Sequence, residues 1–409
     1  MRHVSPTIVI SISSILFMGG VLFFPYNPVY AENSRTQSQT KRLNVPLTVA
    51  DTANVKRSYS TVTSGVPLPR SADIKRKKAL RIVNAKGKAI PAQFTVLARW
   101  GGKPKDRNKP IKWVLVDFNV KKLAANSKKK FRLQTGKAVR HKKRIHMKKS
   151  SEGITVNTGK ARFVINKNQF DLFHQVYIDN NKDGKIDDPL LTAEKNSTAR
   201  ITTSDNAYTS ENGTIENISI ERKGPLHSIV LVKGWHTDTA GNKLLAFTAR
   251  MHFYAGTSYA RVQYSIWNDE LMTNEGGQPN LKEFGSPQSL QFDGLSLTMQ
   301  LNTGQNTAYA LGGAAGKSWG GTLSQQAQLY QASSGGPRWN HAPENTQNQF
   351  RGFTAAANGT ALHGACSEEE PSDNCRALGW ADLSSTKGGV AVGVRDFWQN
   401  YPKALNVSA

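Results

Sequence analysis

The chain has 409 residues, with 54 Lys and Arg against 29 Asp and Glu, a formal net charge of +25 and 38% hydrophobic residues. That length accommodates two domains with cores of their own, and that charge favours polyanions, whether nucleic acid, anionic lipid or acidic polysaccharide. Two cysteines without matched His partners exclude a thiolate zinc site, and the lack of internal repeats and long amphipathic helices excludes a helical ring.

At the N-terminus, Arg2 and His3 precede an apolar run over residues 8–24, followed by Pro25 and Val29-Tyr30-Ala31. This order predicts a signal peptide over residues 1–31, cleaved before Glu32; the alternative is an uncleaved N-terminal membrane anchor. Either places the bulk of the chain outside the cytoplasm, secreted or periplasmic. That argues against nucleic acid and for acidic polysaccharide as partner, with loose association to an anionic envelope also open.

Residues 32–42 read as a disordered polar tail. Short β-rich runs then alternate with turns: Leu47-Thr48-Val49, Ile82-Val83, Pro91-Ala92-Gln93-Phe94-Thr95-Val96-Leu97-Ala98-Arg99-Trp100, Lys112-Trp113-Val114-Leu115-Val116-Asp117-Phe118 and Lys130-Phe131-Arg132-Leu133. Together they predict a small barrel over 43–136, with a Trp-flanked hairpin at its centre. The basic stretch 137–152, rich in Lys, Arg and His, reads as a solvated linker or edge strand at a domain boundary. From residue 153 to 409 the runs at 154–156, 161–165, 228–232, 247–254 and 260–267 predict a large antiparallel sandwich, the last two alternating between an apolar and a wet face.

Candidate sites follow the same order. Asp179, Asn181, Asp183 and Asp187, with Gly184 at the sharp turn, have the spacing of a calcium loop; position twelve is Leu190 instead of a carboxylate, and the competing reading is an Asp/Asn/Gly hairpin turn. Trp235, His236, Trp339 and His341 are candidate carbohydrate contacts, because indole faces stack on pyranose rings; Trp267, Trp319 and Trp398 are weaker candidates. The run from Gly312 to Ser318 has the wrong spacing for a phosphate-binding loop and reads as a flexible loop. Cys366 and Cys375 bracket an acidic octapeptide and are expected to close it as a disulfide on the surface.

The hairpin phrases "PxQF…ARW" and "WVLVDF" resemble the N-terminal RIFT-barrel domain of the exo-rhamnogalacturonan lyase family, the PcRGLX/YetA-like proteins. The turn between them, residues 101–110, is longer and more basic than the family's. Further similarity lies in Glu221-Arg222-Lys223-Gly224-Pro225-Leu226, in Gly234-Trp235-His236, in Phe253-Tyr254-Ala255-Gly256, and in residues 379–383 and 388–405. The resemblance implies an all-β chain, a RIFT-type barrel followed by a central β-sandwich. In the family the closing phrases lead into an α/α toroid that carries much of the substrate cleft, and no toroid sequence is present here, so no catalytic residue is assigned by motif. The functional expectation is an exported, non-catalytic or truncated portion of a rhamnogalacturonan lyase-like protein that binds acidic polysaccharide. The alternatives are a complete lyase cleaving rhamnogalacturonan by β-elimination, with Arg and Tyr or His in proton transfer, and a basic envelope-associated structural protein.

Overall fold

The computed structural model describes residues 7–12, 43–139, 141–142, 144–192, 197–268, 290, 292–302, 304–340 and 349–409. These residues form strands in antiparallel sheets, with three short 3₁₀ turns and no α-helix among them. The expectation of an all-β chain is met.

Residues 43–135 make two small sheets. Asn44–Ala50, Lys128–Thr135, Leu80–Asn84 and Ala89–Ile90 form one, and Arg57–Pro67, Ile111–Leu123 and Ala92–Arg99 form the other. Leu80, Ile82 and Leu133 from the first meet Val114, Val116 and Phe118 from the second in a core of their own. The Trp-flanked hairpin is present, with Phe94 opposite Val116 and Ala92 opposite Phe118. Its long basic loop is ordered from within: the buried Arg99 donates through Nε to Pro104 O at 2.8 Å and through Nη1 to Lys75 O at 2.9 Å and Lys109 O at 2.6 Å. These bonds add to the loop's own backbone pairs, Trp100 N–H to Pro110 O at 2.9 Å and Asp106 N–H to Lys103 O at 3.0 Å.

The rest is dominated by a 12-stranded sheet. At one end lie Ala260–Trp267, Lys243–Tyr254 and His227–Thr237, with Ile215–Arg222 also paired to the last of these. At the other lie Lys403–Ser408, Gln326–Gln331, Phe353–Ala357 and Thr360–His363. A five-stranded sheet (residues 146–191) and a four-stranded sheet (residues 308–393) contribute to the same continuous core, where Phe163 meets Phe253 at 5.1 Å and Phe170 stacks on Phe247 at 5.0 Å. The second half of the basic stretch is an edge strand, His146–Lys149, paired to Gly153–Asn157. Lysine on an exposed edge discourages pairing with another chain.

Thr7–Ile12, the front of the apolar N-terminal run, lies as a strand between Gly294–Gln300 and Lys403–Ser408. Cleavage after Ala31 would remove that strand from the sheet. The remainder of the run and the tail at 32–42 lie outside the described residues, and among the described residues no helix is long and apolar enough to cross a membrane.

Cys366 and Cys375 are joined with a Cα–Cα distance of 5.9 Å. The acidic loop they close is on the surface, with Ser367, Glu368, Glu369, Pro371 and Asp373 exposed, while the two cysteine side chains are covered beneath it and the buried Arg351 reaches Ser367 O and Glu370 O. The Gly312–Ser318 segment is a tight hairpin turn, not a flexible loop: a side chain at Gly312 would collide with the Trp380 indole at 1.9 Å. Replacing Arg99 by Ala leaves three carbonyls without their charged donor; we expect a loss of roughly 3 kcal/mol, read as a lower urea midpoint with unchanged slope.

Candidate functional site

The end of the large sheet nearest the small two-sheet unit presents one face to the core and one outward, by the period of two that strands impose. Phe247, Ala249, Met251 and Phe253 point inward. Ala246, Thr248, Arg250 and His252 alternate with them and define the outer face. Registers extend that face across neighbouring strands: Trp267, Ala246 and Trp235 share a row; Ser265, Thr248 and Lys233 share the next; Gln263 sits opposite Arg250 and Arg261 opposite His252.

Trp267 is 58% exposed and Trp235 half-buried, with the small Ala246 between them. Two strand spacings set their backbones about 10 Å apart. The Trp235 indole N–H donates to Glu216 at 2.7 Å, and the Lys243 ammonium lies 5.3 Å from the ring centroid. Lys233, Lys243 and Arg261 are exposed on this end of the sheet, while Arg250 is held by Glu221 at 3.0 Å.

The other end of the face is capped by the small two-sheet unit. Gln93 accepts from the N–H groups of Leu226 and His227 at 2.9 and 3.1 Å and donates to His227 O at 2.9 Å. Gly224 makes room for it, since a Cβ there would stand 2.2 Å from the Gln93 amide. Beside this lies Asp117, fully buried, whose carboxylate accepts from Arg222, from Thr63 Oγ at 2.7 Å and from His227 Nδ1 at 2.9 Å. From His227 the chain of hydrogen bonds continues: Nε2 to His252 Nδ1 at 2.9 Å, then His252 Nε2 to the exposed Gln263 amide at 2.9 Å. Burial, opposed by the Gln263 bond, holds the His252 pKa below the ordinary imidazole value.

The sequence-predicted residues fare unevenly. Trp235 belongs to the outer face. His236, its neighbour, does not: it is fully buried, Nδ1 donates to Leu245 O at 2.7 Å and Nε2 accepts from Tyr264 OH at 2.7 Å. A ring with both nitrogens engaged in the core cannot contact a glycan. Trp339 is half-buried and donates to Glu368 on the disulfide loop at 3.0 Å, several strands away in the sheet order from Trp235. His341 lies outside the described residues. Asp179, Asn181, Asp183 and Asp187 sit in the turn between Gln175–Ile178 and Asp188–Leu191. There Asp179 accepts from Gly184 N–H, Asn181 from Asp183 N–H and Asp183 from Lys185 N–H, while Asp188 accepts from Asn180 and Asn181. These bonds tie the loop to its own backbone. Among the described residues, the His, Cys, Asp and Glu ligand atoms close enough to share an ion are those of Cys366, Glu370 and Cys375, and both of those sulfurs are in the disulfide.

A family model, "PcRGLX-like protein central beta sandwich domain", matches residues 145–275 and 315–409, more than half of the chain. The chain belongs to this family. The PcRGLX-like match thus includes all four outer-face strands, while the small two-sheet unit at 43–135 lies outside it. No curated protein matches the sequence. Two solved structures are similar over 91% of the chain: a protein in glycosyl hydrolase family 38 from Enterococcus faecalis, at 11% identity and a TM-score of 0.44, and an alpha-mannosidase from Enterococcus faecalis V583, at 12% and 0.43. The chain covers 44% and 43% of their lengths, less than half of each.

Burial depresses the His236 pKa to about 4, from 6.5. A histidine held neutral in the fold resists protonation that the unfolded chain accepts, so its contribution is intact above the unfolded pKa and is lost as pH falls from 6.5 toward 4. The full span corresponds to about 3 kcal/mol. We expect His236→Gln to flatten that part of the stability profile, measured by denaturant titration at pH 7 and pH 4.5.

Proposed function

We propose that this PcRGLX-like protein binds acidic polysaccharide along the outer face of its 215–267 strands, as an exported polypeptide. The observation that carries the reading is the Trp267–Ala246–Trp235 row beside Lys233 and Lys243, with Arg261 on the same face about 20 Å further along its strand. Two indoles on strands about 10 Å apart, with only the Ala246 methyl between them, offer flat apolar surface to successive sugar rings, and the nearby cations suit their carboxylates. Family membership supports a carbohydrate role. The RIFT-barrel identity of residues 43–135 and the relation to rhamnogalacturonan lyases are part of the same proposal. Calcium is not required by it.

The test is affinity electrophoresis or calorimetry with rhamnogalacturonan and polygalacturonate fragments. Trp267→Ala and Trp235→Ala are each expected to weaken binding by roughly tenfold, the size of one lost aromatic contact. Esterifying the sugar carboxylates is expected to weaken it further. Equal retention of esterified and free pectin, or full affinity in both Trp variants, would count against the reading. Mass spectrometry of the protein recovered from culture tests export, a start at Glu32 being the expected result.

A further inference from the structure

Beyond the glycan face, we propose that the tip of the Trp-flanked hairpin in the small two-sheet unit is a membrane-surface site, which sets Leu97 and Trp113 into an anionic lipid bilayer with the basic loop over the headgroups.

Charge is spread unevenly along the chain. Residues 43–135 hold 22 Lys and Arg against 4 Asp and Glu, an excess of 18 positive charges out of the net +25. Five of those cations crowd the hairpin tip. Lys103, Lys105, Arg107, Lys109 and Lys112 are all exposed, and none of them is in an ion pair among the described residues. The acid within the loop, Asp106, accepts from the Asn108 N–H at 3.0 Å. Lysine predominates, and its ammonium is a point charge on a flexible stem, suited to a layer of headgroups more than to one fixed carboxylate.

Apolar surface stands beside these cations. Neighbours on a strand face opposite ways, yet Lys112 and Trp113 are both exposed, so the tip is open on both faces. Leu97 reaches the surface through a bulge: Val96 pairs with Val114 and Ala98 with Trp113, which leaves Leu97 as the extra residue, 43% exposed. Trp113 is 40% exposed, and Gly65 lets its indole lie against the neighbouring strand, since a Cβ there would stand 2.5 Å from Nε1. Two residues of strand, about 7 Å, separate Trp113 from Ile111, the last paired residue before the loop. Leu97 offers no flat face to a sugar ring, whereas both side chains suit the boundary between acyl chains and phosphates. The loop is also ordered in advance, because Arg99 ties Pro104 O and Lys109 O, and this lowers the entropy lost on docking.

The full chain is titrated with vesicles of equal parts phosphatidylcholine and phosphatidylglycerol, and with vesicles of phosphatidylcholine alone. Binding is expected on the anionic vesicles and is expected to weaken as added salt shortens the Debye length. Combining Lys103→Gln with Lys105→Gln is expected to weaken it roughly 25-fold, about fivefold for each charge removed, and Leu97→Ser roughly tenfold. Brominated acyl chains are expected to quench part of the tryptophan fluorescence, and Trp113→Phe to abolish that quenching, a signature that attraction to bulk charge does not give. Trp235→Ala and Trp267→Ala are expected to leave vesicle binding unchanged, which separates this site from the glycan face. Equal binding to neutral vesicles, undiminished binding by the Lys103 and Lys105 double variant, or absence of quenching overturns the assignment. So does a loss of polygalacturonate affinity in the double variant as large as its loss on vesicles, which would make the patch a polysaccharide site. Each of these results leaves the Trp267–Trp235 reading standing.

Discussion

The arrangement rests on one buried carboxylate. Asp117 stands on the central strand of the small three-stranded sheet, yet its partners Arg222 and His227 belong to the large sheet more than a hundred residues later. A lone charge at that depth would cost several kcal/mol, so the carboxylate is compatible with the interior only when the two units are docked in one register. Gln93 adds neutral bonds to the same loop, and Gly224 removes the side chain that would hold the units apart. Hydrophobic contact alone is non-directional; these polar pins fix where the cap sits over the outer face.

That placement divides the face in two. Toward Trp235 and Trp267 it is open, cationic and aromatic. Toward His227 and His252 it is roofed, and the low local dielectric makes each hydrogen bond count for more. Alternation along His227–Thr237 keeps Trp235 outward and turns His236 into the core against Phe247 and Tyr264, and a bulge opposite this step leaves Leu245 as the extra residue on the partner strand. Adjacent residues therefore have unrelated roles: one is surface, the other a neutral core imidazole.

Much of this was legible in the sequence, and the limits are specific. β-rich runs at 91–100 and 112–118 marked the hairpin strands, alternation marked those at 247–254 and 260–267, and the closeness of Cys366 and Cys375 marked the disulfide. The two cysteine side chains lie covered under that exposed loop, where Arg351 from a distant strand end meets Ser367 O and Glu370 O, a long-range contact that no local pattern records. His236 read as a candidate contact because Trp and His adjoin in sequence, whereas neighbours on a strand face opposite ways, so an outward Trp235 sends His236 inside. The row of Trp267 and Trp235 depends on strand register, and the link from Asp117 to His227 on a separation of 110 residues. A signal was nevertheless present: Gln93 and Asp117 are the polar residues inside the apolar phrases that carry the family resemblance, and polar groups in a buried strand require partners.

The charge of the chain and the geometry of the face act at different ranges. A net +25 attracts any polyanion over roughly a Debye length, about 8 Å at physiological salt, and does so without regard to sugar identity. Some of that charge lies elsewhere, on the Lys128–Thr135 strand of the small sheets and on the His146–Lys149 edge. Discrimination needs contacts that depend on shape, and the proposed binding face offers them in its indole row. Under that proposal, long-range attraction gathers the polymer while the outer face decides which polymer stays. A protein with the same charge and without the Trp267–Ala246–Trp235 row would be a general polyanion binder.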